Sequence, residues 1–79
     1  MAEDIRPLIL DLVEWVAARP RPYGEVMDAW RTSCPRLTVW EDAVDDGLVA
    51  TERRDDVMLV RVTDAGRAAL KYAGRRAAA

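Results

Sequence analysis

DDGLVATERRDDVMLVRVTDAG, residues 45–66, changes its periodicity twice. Ahead of it, Leu37, Trp40 and Val44 recur at three- and four-residue spacing, which is the stripe of a helix. From Leu48 to Thr51 and from Val57 to Val62 the residues are rich in β-branched types. Met58, Val60 and Val62 alternate there with Val57, Leu59 and Arg61, the period of a strand with one clearly apolar face. ERRDD separates the two runs, so the simplest reading is a hairpin. Gly47 is the expected stop of the preceding helix, because glycine adopts the left-handed C′ conformation at least cost. Thr63 is the expected N-cap of the next helix, with Asp64 favourably placed at its positive end.

Working toward the N-terminus, Ile5, Leu8, Ile9, Leu12, Trp15 and Val16 fall on one face of a first helix, with Asp11 and Glu14 opposite. Asp4 is its expected N-cap, Pro7 is tolerated in the first turn, and RPRP at 19–22 ends it. YGEVMDAWRTS, residues 23–33, reads as a short second helix with Val26, Met27 and Trp30 inward. Ser33-Cys34-Pro35 restarts the chain as a third helix to about Asp46, with Leu37, Trp40 and Val44 buried and Ala43 beside them. A short third strand is expected near Pro22-Tyr23. In the last helix Ala65, Gly66, Ala69, Leu70, Tyr72 and Ala73 form the apolar side, and Arg67, Lys71 and Arg75 cluster on the other. The chain reads as one domain, 1–79, with its core in 5–73 and a frayed tail at 74–79.

Composition narrows the chemistry. A chain of 79 residues buries roughly 60% of its unfolded surface, near the lower limit for a core without staples. One cysteine excludes an internal disulfide, and the absence of histidine removes the usual material for a zinc site. No glycine-rich phosphate loop and no nucleophile paired with a base is present, so the expectation is a protein that is not an enzyme and needs no metal or cofactor. No apolar run approaches the ~20 residues of a membrane span, and no signal-peptide pattern opens the chain, which makes the cytoplasm the expected compartment. Charge is unevenly spread: residues 1–60 carry thirteen acids and seven bases, residues 61–79 one acid and five bases, for a net −2. Trp15, Trp30 and Trp40 read as core anchors rather than a stacking platform, since each lies on an inward stripe. Cys34 reads as incidental rather than as a redox sensor, and Asp45-Asp46 and Asp55-Asp56 as solvated acids.

The predicted order is helix, helix, helix, hairpin, helix: an α+β, mostly helical chain arranged as a winged helix-turn-helix. Over about residues 5–73 it resembles the winged-helix regulators of the MarR and PadR kind. The resemblance is carried by Leu37, Trp40 and Val44 followed by Gly47-Leu48-Val49. It is also carried by VRVTDAGRAAL, residues 60–70, which is similar to the strand-Thr-two residues-Gly-Arg exit from the wing in those families.

The resemblance implies a small DNA-binding protein, a transcriptional regulator, with its third helix in the major groove and its wing on phosphate. Double-stranded DNA would then be met by Arg36, Thr38, Arg53 and Arg54. The outward positions of the third helix would be Thr38, Val39, Asp42, Asp45 and Asp46. Those aspartates oppose phosphate, and they support the alternative: a protein-interaction module whose acidic third helix docks a protein partner. The resemblance also implies a homodimer built by the terminal helices. Leu10 and Val13, at the edge of the first stripe, and Gly66, Leu70 and Ala73, which widen the last one, are its expected interface. The alternative is a monomer with scattered exposed leucines.

Overall fold

The computed structural model describes residues 5–30 and 38–75. These form four helices and a three-stranded antiparallel sheet, in the order α1 (Arg6–Ala18), β1 (Arg21–Pro22), α2 (Tyr23–Trp30), α3 (Val39–Asp45), β2 (Val49–Arg54), β3 (Val57–Val62) and α4 (Asp64–Tyr72). The fold is α+β. Among the described residues no helix is long and apolar enough to cross a membrane.

α1 is the element the others gather on: it packs against α3, α4 and β3. Being covered from three sides, it buries a wider and differently centred arc than one stripe. Ile9, Leu12, Val13, Val16 and Ala17 are buried, whereas Leu8 is exposed and Trp15 half-buried. The buried face is thus rotated toward Val13 and Ala17 from the predicted one. Asp4 lies outside the described residues. Ile5 occupies the N-cap position without a side-chain cap bond, and Pro7 falls in the first turn as expected.

A similar rotation corrects α3. Val39 and Ala43 are its buried residues, Trp40 is half-buried and Val44 is exposed. Packing against α1 selects the face bearing the small Ala43, which lets the two backbones approach. The bulkier Trp40 is left at the margin, edge-on to Tyr23 with ring centroids 5.9 Å apart. Leu37 lies outside the described residues. Trp15 and Trp30 are also marginal rather than central: each packs against the core while half-buried, with their rings 6.0 Å apart. The Arg21 guanidinium lies 4.2 Å from the Trp15 ring centroid and pairs with Glu25 at 3.3 Å.

The helix ends behave as local chemistry dictates. Gly47 has φ +72°; its N–H bonds the Val44 carbonyl and the Leu48 N–H bonds the Ala43 carbonyl, each at 2.9 Å, closing α3 in a Schellman motif. Gly74 (φ +77°) closes α4 the same way, with the Arg75 N–H on the Leu70 carbonyl at 2.8 Å. Residues 74 and 75 therefore belong to the folded unit, which corrects the frayed tail beginning at 74; residues 76–79 lie outside the described residues. Arg75 then turns back to α1. Its guanidinium donates to Asp11 at 2.5 Å, Glu14 at 3.2 Å and the Pro7 carbonyl at 3.4 Å. The bond to Asp11 is the main cause of a rise in the Arg75 pKa above its ordinary value, so the guanidinium stays charged at any working pH.

β3 is the central strand, with β2 on one side and the short β1 on the other. Pro22 is acceptable in β1 because an edge strand has a side that donates nothing. β1 is the short third strand expected near Pro22-Tyr23. Val49 and Val60 point into the core, whereas most of residues 51–58 extend into solvent. The hairpin is tighter than predicted: Glu52, Arg53 and Arg54 pair with Leu59, Met58 and Val57, leaving a two-residue turn of Asp55 and Asp56. Both turn residues have positive φ, 51° and 66°, as a type I′ turn requires. Aspartate tolerates that region less well than glycine. Asp56→Gly is therefore expected to stabilise the domain by about 1 kcal/mol, seen as a higher urea midpoint at unchanged m-value.

Thr63 caps α4 as expected, accepting the Gly66 N–H at 3.0 Å. Its hydroxyl also donates to the Gly47 carbonyl at 2.5 Å, and its own N–H bonds the Leu48 carbonyl at 3.1 Å. The end of α3 and the start of α4 are thus joined through one side chain. This draws α4 so close that Gly66 is buried against the Leu48 carbonyl.

Candidate functional site

Three surfaces carry chemistry. The first is the outer side of α3. Glu41, Asp45 and Asp46 are exposed and Asp42 is half-buried, and Val39–Asp45 contains no base. Among the described residues none of these four acids has an ion-pair partner. Thr38 stands at the N-cap position, half-buried, and caps nothing with its side chain. Val39, expected outward, is instead part of the core, 4% exposed. Arg36 lies outside the described residues.

The second surface is the hairpin. Neighbouring residues of a strand point to opposite faces, so Arg53 and Arg54 cannot meet one flat partner together. Arg54 shares a face with Glu52 and Arg61. Glu52 takes both arginines, Arg54 at 2.7 Å and Arg61 at 2.9 Å, so it offsets much of that face's positive charge. Arg53 is exposed beside Met58 on the opposite face and has no ion pair among the described residues. Reading ERRDD as the connection between the strands hides the pairing of Glu52. Once the turn is confined to 55–56, alternation alone puts positions 52, 54 and 61 on one face.

The third surface is a groove of about 580 Å³ between the start of α1, the end of α3 and the end of α4. Ile5, Ile9, Leu10, Leu48, Ala69 and Ala73 give it an apolar lining; Asp42, Asp46, Arg6 and Tyr72 complete it. Two residues of the expected dimer interface, Leu10 and Ala73, are found here. The other three are not at the surface: Val13 and Leu70 are 0% exposed and Gly66 is buried. They belong to the chain's own core, because α1 and α4 lie against each other and β3 covers both. The apolar width of α4 is consumed internally. Tyr72, read as part of the apolar side of α4, is 96% exposed at the rim.

Among the described residues no group of His, Cys, Asp and Glu is arranged to hold a metal ion. Comparison with known proteins finds no matching family model, no matching curated protein and no matching solved structure.

Proposed function

We propose that the chain is a winged-helix binding module that docks a basic protein surface through the outer side of α3. One observation carries this reading: Glu41, Asp42, Asp45 and Asp46 lie on or beside α3 with no ion-pair partner among the described residues and no base within the helix. Two like charges 4 Å apart repel by about 1 kcal/mol even in water, so a phosphate backbone beside this helix meets repulsion at several points. A surface bearing lysine or arginine meets attraction at the same points, and complementary charge chiefly speeds encounter and fixes orientation.

The second reading is the DNA-binding regulator that the MarR and PadR resemblance implies. It is favoured by the projecting hairpin with exposed Arg53 and Arg54. Affinity for DNA comes largely from cations that displace counterions from phosphate. On the hairpin Arg53 is available for this, while Arg54 is shared with Glu52.

One titration series separates the two. Fluorescence anisotropy would follow a labelled lysine-rich amphipathic peptide and, separately, a labelled random-sequence duplex, each at low and at higher salt. The peptide is expected to bind and to lose affinity with salt, and Glu41→Gln with Asp45→Asn should weaken it about tenfold. The duplex is expected to remain free even at low salt. A parent protein that binds the duplex with a steep salt dependence, flattened by Arg53→Ala with Arg54→Ala, would replace the docking reading by the DNA reading.

A further inference from the structure

We propose that the groove between α1, α3 and α4 is a binding site for a small organic cation with an apolar body, an aryl- or alkylammonium compound. Its volume of about 580 Å³ falls within the range of small-molecule pockets. Such sites are mostly apolar with a few polar groups that fix orientation, and this groove has that constitution. Leu10 and Ala73 belong to its apolar lining.

The charge of the occupant follows from the walls. Asp42 of α3 and Asp46, the residue that caps the end of that helix, stand one helical turn apart, so their carboxylates share a side. Neither has an ion-pair partner among the described residues. Arg6 is the one cation of the lining, so the two carboxylates leave the groove with a net negative charge. An anion would be repelled by both aspartates, and a neutral apolar molecule would leave them uncompensated at its edge.

Tyr72 supplies the second half of the recognition. Its ring is 96% exposed at the rim, although a tyrosine could bury its ring with its hydroxyl outward. An aromatic face at the mouth of an acidic groove suits an ammonium head, by attraction between the cation and the ring quadrupole. The apolar body would then lie along α1 and α4. This site shares Asp42 and Asp46 with the docking face described above but uses neither Glu41 nor Asp45, so the Glu41→Gln with Asp45→Asn pair that tests the docking face leaves the groove's carboxylates in place.

The probe is phenylbutyltrimethylammonium, whose charge does not titrate, set against phenylbutyrate of the same apolar body and opposite charge. Both would be titrated into isotope-labelled protein and followed by amide chemical shifts. The cation is expected to shift Leu10, Leu48, Ala69 and Ala73 saturably, with at least tenfold higher affinity than the anion. Asp42→Asn with Asp46→Asn should weaken the cation about tenfold and leave the anion no weaker. Tyr72→Leu should weaken the cation severalfold. Equal affinity for cation and anion in the parent protein overturns the proposal without reference to any variant. So do shifts confined to the hairpin acids, or a cation affinity indifferent to the asparagine pair. Shifts of the same four amides on raising protein concentration alone, with sedimentation as a dimer, would assign the groove to a second copy of the chain instead.

Discussion

Gly66→Ala should abolish the stable fold or come close to it, although it places the best helix former inside a helix. By propensity alone the change gains about 1 kcal/mol. Here a Cβ would run into the Leu48 carbonyl oxygen and come within 2.7 Å of Val62 Cγ2. Neither neighbour can yield cheaply. The Leu48 carbonyl is fixed by the Thr63 N–H at 3.1 Å, and Val62 is the last residue of the central strand. Overpacking of this kind costs roughly 3 kcal/mol or more where backbone must move. That is a large share of the ~4–12 kcal/mol a domain of this size holds. Far-UV circular dichroism with urea titration would show it as a midpoint collapsing toward zero denaturant. A variant as stable as the parent would mean that α4 does not approach Leu48 and the end of β3 as closely as described.

Leu70→Ala comes second, with an expected loss of about 2–5 kcal/mol. Leu70 is 0% exposed and belongs to one core with Leu12, Val13, Val16 and Val60. The packing of α1 and β3 against α4 leaves it no open side through which the cavity could close. Leu70→Glu should be more severe, since it adds a buried unpaired charge. An interface leucine would behave differently: its replacement by glutamate would dissociate a dimer and spare the monomer. Equilibrium unfolding at several protein concentrations distinguishes these, because a monomeric core defect lowers stability independently of concentration.

Gly66 and Leu70 also show where the sequence could be read and where it could not. Both were legible as apolar-side residues of the last helix, because helical spacing is a local property. That they serve the chain's own core was not, since it depends on how many neighbours α4 acquires. The same division runs through the rest of the chain. Gly47 and Thr63 mark true boundaries, because a left-handed cap and a side-chain cap are decided within a few residues. The inward faces of α1 and α3 were misjudged by a partial turn. In α1 three partners moved the centre of burial toward Val13 and Ala17, and in α3 the small Ala43 outweighed the larger Trp40. Of the candidate contact residues, Arg53 and Arg54 look like a pair in sequence, yet strand alternation divides them and Glu52 engages one. The groove was invisible in sequence, because Ile5, Asp42, Leu48 and Tyr72 come from separate elements that meet only after folding.

Thr63 has one more consequence, through the two bonds its hydroxyl makes to Gly47 and Gly66. The first ties the two feet of the hairpin together and the second seats Thr63 in the cap of α4, so residues 47–63 form a closed loop pinned at its base. A pull on the tip is borne by α3 and α4 together, since the strands cannot part at the base until the Thr63–Gly47 bond and the Thr63–Leu48 backbone bond break. Each such bond is worth only about 1 kcal/mol, but they must fail together, so the base should be the last part of the hairpin to open. The tip, exposed on both faces, can fray without disturbing it. The hairpin is thus a lever with a stiff root and a compliant end.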